Sequence, residues 1–426
     1  MQRRTLLQSG LALGSVTALA GCASLISKAP AKAQVVVIGG GYGGATAAKY
    51  VRVLSNHKIS VVLIEPSSSF ISCPMSNLVL GGSKQLREIT TSYDALSSKH
   101  GITVVRDWVV AIDPDKKSVR LNNGLAIAYD KLVLSPGVDM MFETVEGLQA
   151  ANDSGQILQA WKAGAETTAL RKQLEAMPDG GVYALTIPEA PYKCPPGPYE
   201  RASQVAHYFQ QAKPRAKVLI LDANQDITSK AALFKKFWAD HYKNIIEYRP
   251  NHKAVGVDTA TKTIRFDVQE NLKADVLNVL PDMRAGAIAV KTGLAKANQR
   301  WCGVHYQTFE SLVAKDIHVL GDAIQVAPAM PKSGHMANSQ AKVTAAAVVA
   351  QLSDLAVNPA PFLTNTCYSY VNDQLVVHVA SVHQYIAAEK TYKTVPGSGG
   401  LSSEPNALEG TYAWNWAQNI WADTLL

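Results

Sequence analysis

Cysteine is scarce in this chain, and its few cysteines are not spaced to hold a metal. The sequence contains five of them, Cys22, Cys73, Cys194, Cys302 and Cys367. It has no C-x-x-C pair and no cysteine–histidine cluster, so we expect no zinc or iron–sulfur site. The C-x-x-C-H signature of c-type haem attachment is also missing. We therefore expect this chain to carry no haem of its own.

The chain also lacks the excess of positive charge that is typical of nucleic-acid-binding proteins. Its formal net charge is +7. Residues 1–33 hold four basic residues and no acidic one, so +7 less four leaves +3 for the remainder. A charge of that size does not favour a nucleic acid partner.

Residues 1–33 have the features of an export signal. Arg3-Arg4 precedes a short apolar stretch rich in small residues and resembles a twin-arginine signal. Residues 19–22, Leu-Ala-Gly-Cys, resemble a lipobox in which Cys22 would be lipidated, whereas residues 31–33 resemble an ordinary cleavage site. We expect a periplasmic protein without a transmembrane segment, and both a soluble and a lipid-anchored form stay open. An uncleaved segment on a cytoplasmic protein is the third alternative.

The strongest motif is QVVVIGGGYGG at residues 34–44. Four apolar residues indicate a buried parallel strand, and Gly39, Gly41 and Gly44 fit G-x-G-x-x-G before an alanine-rich helix. A second apolar strand ends in Glu65, 21 residues after Gly44, where an acid that bonds ribose is expected. The pattern predicts a dinucleotide whose pyrophosphate lies at the helix N-terminus. It does not decide between NAD and FAD.

Three later strand ends fit the same nucleotide site. The strand predicted over residues 101–110 includes Val109, near the expected adenine position. Another apolar strand closes with Ser135, Pro136 and Gly137, a small turn that lets the backbone approach a ligand. A third closes with Gly321 and Asp322, whose carboxylate can bond a ribityl hydroxyl, and Lys332 follows before a long alanine-rich helix.

A second βαβ unit lacks the glycines that a dinucleotide needs. After a predicted helix over residues 155–177, strands at VYALTI and KVLILDAN flank the loop IPEAPYKCPPGPYE. Its prolines remove N–H donors and stiffen the backbone, so a pyrophosphate could not be held in the same way. We predict a second Rossmann-like domain whose nicotinamide site is lost.

These features predict an α/β fold with two Rossmann-like domains and a C-terminal α+β interface domain. The FAD-binding domain is expected to be discontinuous. The predicted ranges are 1–33 for the export signal, 34–150 and 286–355 for the FAD-binding domain, 151–285 for the second Rossmann-like domain, and 356–426 for the interface domain.

Four short segments resemble the flavoprotein subunit of flavocytochrome c sulfide dehydrogenase, among the glutathione-reductase-like flavoproteins. They are SCPMSN at 72–77, CPPGPYER at 194–201, PKSG at 331–334 and NTCY at 365–368. The second is the most specific, and the resemblance covers essentially the whole chain beyond residue 34. It implies that the dinucleotide of the first domain is FAD.

The resemblance also implies roles for individual residues. Cys73 falls where a cysteine sulfur is bonded to the flavin 8α carbon, and Cys194 with Cys367 falls on a redox disulfide beside the flavin. From the residues alone, a free loop thiol and a structural disulfide would be favoured. Glu200 matches a proton acceptor, although a helix N-terminal charge explains it equally well. Trp416 matches an aromatic that faces the cytochrome partner, with plain packing as the alternative.

The implied function is oxidation of sulfide to sulfur or polysulfide, with electrons passed to a c-type cytochrome subunit that holds the only haem. HS⁻ would attack the disulfide by thiol–disulfide exchange. We expect Cys194 to take the added sulfur and Cys367 to face the flavin. A sulfide:quinone oxidoreductase is the alternative enzyme, but residues 406–426 lack the apolar helix pair that it would need. An accessory electron-relay flavoprotein without sulfide activity is the alternative of another class.

Overall fold

The computed structural model of this protein describes residues 33–426. The predicted export signal, with the lipobox at Cys22, lies almost entirely outside the described residues. All statements on structure below refer to residues 33–426.

The first part of the chain supplies the core of the predicted FAD-binding domain. Its strands are β1 (Gln34–Ile38), β2 (Ser60–Ile64), β3 (Ser69–Ile71), β4 (Thr90–Ser92), β5 (Thr103–Val105), β6 (Val109–Asp113), β7 (Ser118–Leu121), β8 (Ala126–Ala128), β9 (Lys131–Leu134) and β10 (Val138–Met140). Its helices are α1 (Tyr42–Leu54), α2 (Ser76–Gly81), α3 (Asp94–Ser98) and α4 (Leu148–Asp153).

The second part forms a smaller α/β unit. Its helices are α5 (Ala165–Ala176), α6 (Gly197–Ala212) and α7 (Ala231–His241). Its strands are β11 (Val182–Ile187), β12 (Lys217–Asp222), β13 (Ile246–Arg249), β14 (Ala254–Asp258), β15 (Thr263–Phe266), β16 (Leu272–Lys273), β17 (Val276–Val279) and β18 (Met283–Ala285). Strands β13-β12-β11-β17 form a parallel four-stranded sheet.

The chain then returns to the first domain and ends in a third unit. The returning elements are α8 (Ala287–Lys291), β19 (Val304–His305), β20 (Glu310–Ser311), β21 (Ile317–Val319) and α9 (Gly334–Leu352). The last unit comprises β22 (Phe362–Tyr370), β23 (Val376–Ile386), β24 (Thr391–Thr394), β25 (Gly400–Leu401) and α10 (Ala407–Leu425).

The main sheet joins strands from both ends of the chain, in the order β19-β20-β21-β9-β1-β2-β5. Strand β1 lies between β2 and β9, paired in parallel with both. Its side chains are buried on both faces, as expected for a central parallel strand covered by helices. This sheet makes the first domain discontinuous, as predicted, and the predicted fold class is confirmed. The exact domain boundaries stay a prediction.

Two predicted elements are wrong. The strand expected over residues 101–110 is divided into β5, which belongs to the main sheet, and β6, which carries Val109 and pairs with β7 in another sheet. Residues 155–177 were expected to form one helix, but α5 begins only at Ala165. Gly164 precedes it with a φ of 156°, a conformation that glycine adopts readily and that no helix contains. The residues before it form a loop that buries Trp161, which becomes important for the site.

Candidate active site

The glycine loop between β1 and α1 is shaped by close backbone contacts. Gly39 has a φ of 95°, and a Cβ there would lie 2.3 Å from the carbonyl oxygen of Ser135. A Cβ at Gly44 would lie 1.8 Å from the carbonyl oxygen of Gly39, so α1 packs directly on the turn. Within residues 33–426, nothing lies within 4 Å of the Cβ position of Gly41, which is exposed. The loop therefore leaves the start of α1 open to a ligand.

Glu65 lies beside this loop, at the end of β2. Its carboxylate accepts hydrogen bonds from the backbone N–H groups of Gly40 (2.6 Å) and Ser67 (2.8 Å). Tyr93 supports the same turn by donating its hydroxyl to the carbonyl of Gly40 at 3.1 Å. The acid is thus held at the mouth of the glycine turn, where an acid that bonds ribose is expected.

A cleft begins at this loop, and we call it the cofactor cleft. It has an empty volume of about 1060 Å³, its open mouth included, which is large enough for a dinucleotide. Its lining includes Gly41, Glu65, Cys73, Ser135, Gly137, Lys193, Cys194, Gly321 and Asp322. Gly39, Val109 and Pro136 line an adjoining recess that also includes Glu65. Residues predicted from distant parts of the sequence are thus brought together.

The hydrogen bonding of Asp322 indicates whether the cleft fits a flavin dinucleotide. Its Oδ1 atom is buried and has no hydrogen-bond partner in the part of the chain that the structure describes. Burial raises the pKa of this carboxyl, although Lys193 and Lys332 oppose the shift. A buried acceptor without a donor is costly. A ribityl hydroxyl would supply the missing donor, so the residues present fit FAD.

Lys332 is placed differently from what its predicted role requires. Its ammonium donates to the carbonyls of Asp322 (2.8 Å) and Ile324 (2.6 Å) and lies 3.6 Å from the centre of the Trp301 ring. The side chain is therefore directed away from the cofactor cleft. Its backbone carbonyl instead accepts from the N–H of Cys194 at 2.8 Å, which fixes the cysteine loop.

A second cavity adjoins the cleft, and we call it the cysteine cavity. Its lining includes Cys73, Trp161, Lys193, Cys194, Glu200, Arg201, His335, Cys367, Tyr368 and Trp416, and its empty volume is about 670 Å³. Cys73, Lys193 and Cys194 line both spaces. The predicted cysteines, the predicted acid and the predicted tryptophan therefore meet in one place.

The described cysteines, Cys73, Cys194, Cys302 and Cys367, are free thiols in this structure. Burial raises the pKa of Cys194, and the neighbouring Cys367 and Glu200 raise it further. Cys194 lines both the cleft and the cavity, whereas Cys367 is found in the lining of the cavity alone. Which of the two sulfurs faces the flavin stays a prediction. Cys302 is fully buried outside both linings, as expected for a structural thiol.

Glu200 occupies the first turn of α6 and is buried. One carboxylate oxygen accepts from the amide of Asn77 at 2.8 Å, and the other from the backbone N–H of Tyr370 at 2.9 Å. Burial raises the pKa of Glu200 although these bonds and the nearby Lys230 and Arg201 lower it. Both roles, the proton acceptor and the helix N-terminal charge, therefore stay predictions.

Three basic residues of the site were not predicted from the sequence. Lys193 donates to the sulfur of Cys73 at 2.9 Å. Lys230 donates to the carbonyl of Cys367 at 2.9 Å and the hydroxyl of Ser369 at 2.7 Å. His335 accepts the N–H of Thr366 at 2.9 Å and packs against Trp416 with ring centres 5.8 Å apart. Only the position of Lys193 beside Cys194 in the sequence could have pointed to one of them.

In the second domain, the acid at the end of β12 is buried and bonded to side chains of the protein. Asp222 ends β12, where a Rossmann domain places the acid that bonds ribose. Here the carboxylate is fully buried and accepts from the hydroxyls of Tyr199 (2.7 Å) and Tyr248 (3.1 Å). Tyr199 follows the proline-rich segment in α6. This packing agrees with the predicted loss of the nicotinamide site.

Helix α10 packs against the first domain, in contact with α1. Trp421 donates its indole N–H to the hydroxyl of Tyr42 at 2.9 Å, and that hydroxyl lies 2.6 Å from the hydroxyl of Ser72. Trp416 is half-buried and also packs on Tyr368, with ring centres 6.0 Å apart. Among the helices described, none combines the length and the apolar character of a membrane span.

Comparison with protein families gives matches over most of the chain. A model for the sulfide dehydrogenase (flavocytochrome c) flavoprotein chain, central region, matches residues 167–281. A model for the flavin-binding region of flavocytochrome c sulphide dehydrogenase matches residues 359–425. A model for pyridine nucleotide-disulphide oxidoreductases matches residues 33–174.

Individual relatives point the same way. The sulfide dehydrogenase (flavocytochrome c) flavoprotein chain of Chlorobaculum thiosulfatiphilum is 56% identical over 46 residues, which is 94% of that sequence and 11% of this chain. A mitochondrial sulfide:quinone oxidoreductase of Dictyostelium discoideum is 24% identical over 305 residues, 68% of this chain and 65% of the relative. The chain thus spans somewhat less than two thirds of that protein.

A solved structure shares the fold. The sulfide:quinone oxidoreductase of Aquifex aeolicus superposes with a TM-score of 0.75 at 17% identity, covering 92% of this chain and 91% of that one. The two dinucleotide-binding-type domains and the flavin-binding character are therefore common to this chain and its relatives. Together with the two matching regional models, the near-complete match to the Chlorobaculum sequence confirms the family expected from the short motifs: the chain belongs to the flavoprotein chains of flavocytochrome c sulfide dehydrogenase.

Proposed function

We propose that this chain is a periplasmic flavoprotein that oxidises sulfide to sulfur or polysulfide with Cys194 and Cys367. It would hold FAD through a thioether at Cys73 and pass electrons to a c-type cytochrome subunit. One observation carries the proposal. Cys194, Cys367 and Glu200 line a single cavity that shares Cys73 and Cys194 with the cofactor cleft.

The chain's own residues would hold the cofactor. Gly41 and the start of α1 would take the pyrophosphate, Glu65 the adenosine ribose, and Asp322 a ribityl hydroxyl. When bound, FAD supplies a two-electron acceptor that can release its electrons singly to a haem. The protein would then only have to bring a sulfur atom close to the flavin.

The cysteine pair would perform the sulfur chemistry as a disulfide. HS⁻ attacks one sulfur, the S–S bond breaks, and a persulfide forms on one cysteine while the other leaves as a thiolate. Because Cys194 lines the cofactor cleft, we place the persulfide on Cys367 and the thiolate on Cys194. A second HS⁻ removes the outer sulfur as HSS⁻. Re-forming the disulfide would release one electron pair, for which bound FAD would be the acceptor, so two HS⁻ ions yield HSS⁻, a proton and two electrons.

Glu200 would take the proton that this balance releases. Its carboxylate lies in the same cavity, and burial raises its pKa above the ordinary value, which makes it a better proton acceptor. Lys230 supports the strand that carries Cys367, because its ammonium donates to the Cys367 carbonyl at 2.9 Å. Its positive charge also favours anions in the cavity.

The location and the partner are part of the proposal. Arg3-Arg4 and the following apolar stretch support export by the twin-arginine route, with lipidation at Cys22 as one of two mature forms. Trp416 at the cavity supports a docking face for the cytochrome, which would hold the only haem c of the complex. Replacing Arg3 and Arg4 with lysines should leave the protein in the cytoplasm, and the mass of the exported chain reports on Cys22.

A quinone acceptor is the second candidate function. It is favoured by the relatives named sulfide:quinone oxidoreductases in Dictyostelium and Aquifex. The choice between the acceptors is therefore made by experiment.

The test uses the purified protein with its flavin in rapid mixing with micromolar sulfide. We expect the flavin absorbance to bleach in wild type and in Cys302→Ser, whose thiol is buried outside the cavity, but not in Cys367→Ser. Dithionite should bleach all three. A wild type that sulfide does not bleach would overturn the enzyme proposal and favour an electron-relay flavoprotein. Adding a c-type cytochrome or a quinone to the reduced protein then identifies the acceptor.

A further inference from the structure

An ammonium group lies in direct contact with the cysteine that is expected to bind the flavin. The Nζ atom of Lys193 is 2.9 Å from the Sγ atom of Cys73. The two residues are 120 positions apart in the sequence and come from different domains. Lys193 belongs to the loop between β11 and α6, and Cys73 lies between β3 and α2. Both line the cofactor cleft and the cysteine cavity.

The groups around this sulfur determine its charge. Burial by itself would raise the pKa of the Cys73 thiol, but the charge of Lys193, a backbone N–H from Ala163 and the Lys193 hydrogen bond together lower it. Asp322 acts in the opposite direction. Tyr42, Cys194 and Arg201 also face the sulfur through space. Lys193 is the group in hydrogen-bond contact, and its own pKa is raised by Cys73 and Asp322 against the effect of burial.

Lys193 is next to Cys73 in space and next to Cys194 in the sequence, and the pKa values of these two thiols are shifted in opposite directions. Cys73 has a thiol with a lowered pKa, whereas burial raises the pKa of Cys194, which follows Lys193 directly. A thiolate is the nucleophilic form of cysteine, and a cysteine next to a lysine is the more reactive one. The cysteine activated by its surroundings is therefore Cys73, which lies outside the proposed redox pair.

We propose that Lys193 is the positioning residue for flavin attachment, holding the Cys73 sulfur by a hydrogen bond at the wall that the cofactor cleft shares with the cysteine cavity. The inference rests on the covalent link to FAD in the proposed function, and it adds the residue that assists the formation of this link. Without Lys193, the buried Cys73 sulfur would lose its charged hydrogen-bond partner.

The attachment step balances without a further reagent. The Cys73 sulfur forms one bond to the 8α methyl carbon, one C–H bond of that methyl breaks, and the thiol and the methyl each give up a proton. The electron pair stays with the flavin until the electron acceptor of the catalytic cycle removes it. The ammonium of Lys193 is not consumed, so it can stay beside the thioether sulfur afterwards.

The experiment measures attachment and does not depend on turnover. Wild type, Lys193→Met, Lys193→Arg and Cys73→Ser are purified with their flavin and precipitated with acid. The flavin that stays with the polypeptide is quantified by absorbance and by intact mass. Lys131→Met is the matched control, since Lys131 is a buried lysine paired with Asp316 at 2.6 Å, at the start of β9 and outside the lining of the cleft.

We expect the fraction of flavin that Lys193→Met retains after acid precipitation to be at least tenfold lower than in wild type, because that variant lacks the ammonium that donates to the Cys73 sulfur. Loading with FAD at a higher pH should increase attachment in that variant, because a higher pH favours the thiolate form of cysteine. Lys193→Arg and Lys131→Met should attach as wild type does. Full attachment in a folded, flavin-containing Lys193→Met overturns the inference. If Lys193→Met fails to bind flavin, Lys193→Gln replaces it under the same criteria.

The outcome also separates this inference from the proposal beneath it. Release of all flavin from wild type by acid would mean that the covalent link does not exist and would overturn both. Retention in wild type with equal retention in Lys193→Met would leave the link intact and remove Lys193 from its assigned role.

Discussion

Glu200→Gln tests the proposed proton acceptor with little change of shape. The two carboxylate oxygens accept from Asn77 at 2.8 Å and from the Tyr370 N–H at 2.9 Å. Glutamine keeps one acceptor, but its NH₂ group meets the NH₂ of Asn77, so one hydrogen bond worth about 0.5–1.5 kcal/mol is lost. Removing a buried charge offsets part of that loss. The variant should therefore fold and bind FAD.

The expected effect is on the rate of flavin reduction by sulfide. A general base typically contributes about 10²–10⁴-fold. Because burial raises the pKa of Glu200 above its ordinary 4.5, the wild-type rate should rise with pH as this carboxyl loses its proton. Glu200→Gln should be slower by about that factor and should lack this part of the pH profile.

The pH dependence of the free energy of unfolding is an independent test of the raised pKa of Glu200. The folded pKa of Glu200 is raised, so its contribution to the free energy of unfolding is fully present below pH 4.5 and is lost as pH rises through the folded pKa. The unfolding free energy of Glu200→Gln should therefore depend less on pH above 4.5 than that of wild type. Thermal unfolding across a pH series measures this.

Stopped-flow absorbance of the flavin after mixing with sulfide is the assay for the rate. Glu270→Gln is the control, because Glu270 is an exposed glutamate outside the linings of the cleft and the cavity. It should match wild type at every pH. If Glu200→Gln reduces its flavin within about threefold of the wild-type rate and keeps the same pH profile, Glu200 is a structural charge of α6.

Three further outcomes are expected. After sulfide treatment and alkylation, mass spectrometry should locate the added sulfur on Cys367, and its exclusive presence on Cys194 would restore the opposite order. Burial lowers the pKa of Lys332 to about 7. Its contribution to stability is therefore present above pH 10.5 and is lost as pH falls toward 7. The melting temperature of Lys332→Met should vary less between pH 7 and 10.5 than that of wild type. Tyr199→Phe removes the 2.7 Å hydrogen bond to buried Asp222 and should lower the free energy of unfolding by about 1–3 kcal/mol in chemical denaturation. Titration of this variant with NADH should still show no binding. NADH binding would refute the view that packing closed this site.

The glycine turn and its acid could be predicted from the sequence because their chemistry is local. Gly39 needs a positive φ, Gly44 lets a helix pack on the turn, and Glu65 follows at the spacing of one βαβ unit. Each requirement restricts the residue types in a short window. Such windows are readable in a single sequence.

The side-chain directions in the site could not be predicted. Cys194 has a φ of 59°, an uncommon conformation for a residue with a Cβ, and its N–H is held by the carbonyl of Lys332. That contact joins residues far apart in the sequence. The Lys332 ammonium lies over the Trp301 ring, another contact between residues that are distant in the sequence. The contact of Lys193 with Cys73 depends in the same way on the docking of the second domain.

The helix expected over residues 155–177 failed for a different reason. Its sequence has helix-forming residues on both sides of Gly164, and periodicity alone does not show that the chain turns there. The turn is stabilised by tertiary packing, because Trp161 is buried beside Arg201 and lines the cysteine cavity. A functional loop thus occupies a stretch with the composition of a helix.

The contact between α10 and α1 has a consequence for how the protein is made. Trp421 donates to Tyr42, the first residue of α1, and Thr424 lies 3.2 Å from Thr46 through their hydroxyls. Strand β21 must also join the sheet before Asp322 can reach the cleft. The walls of the flavin site are thus completed by segments translated long after its glycine loop. Flavin loading should therefore follow synthesis of the body of the chain, and a chain ending before Trp421 should emerge without a stably bound flavin.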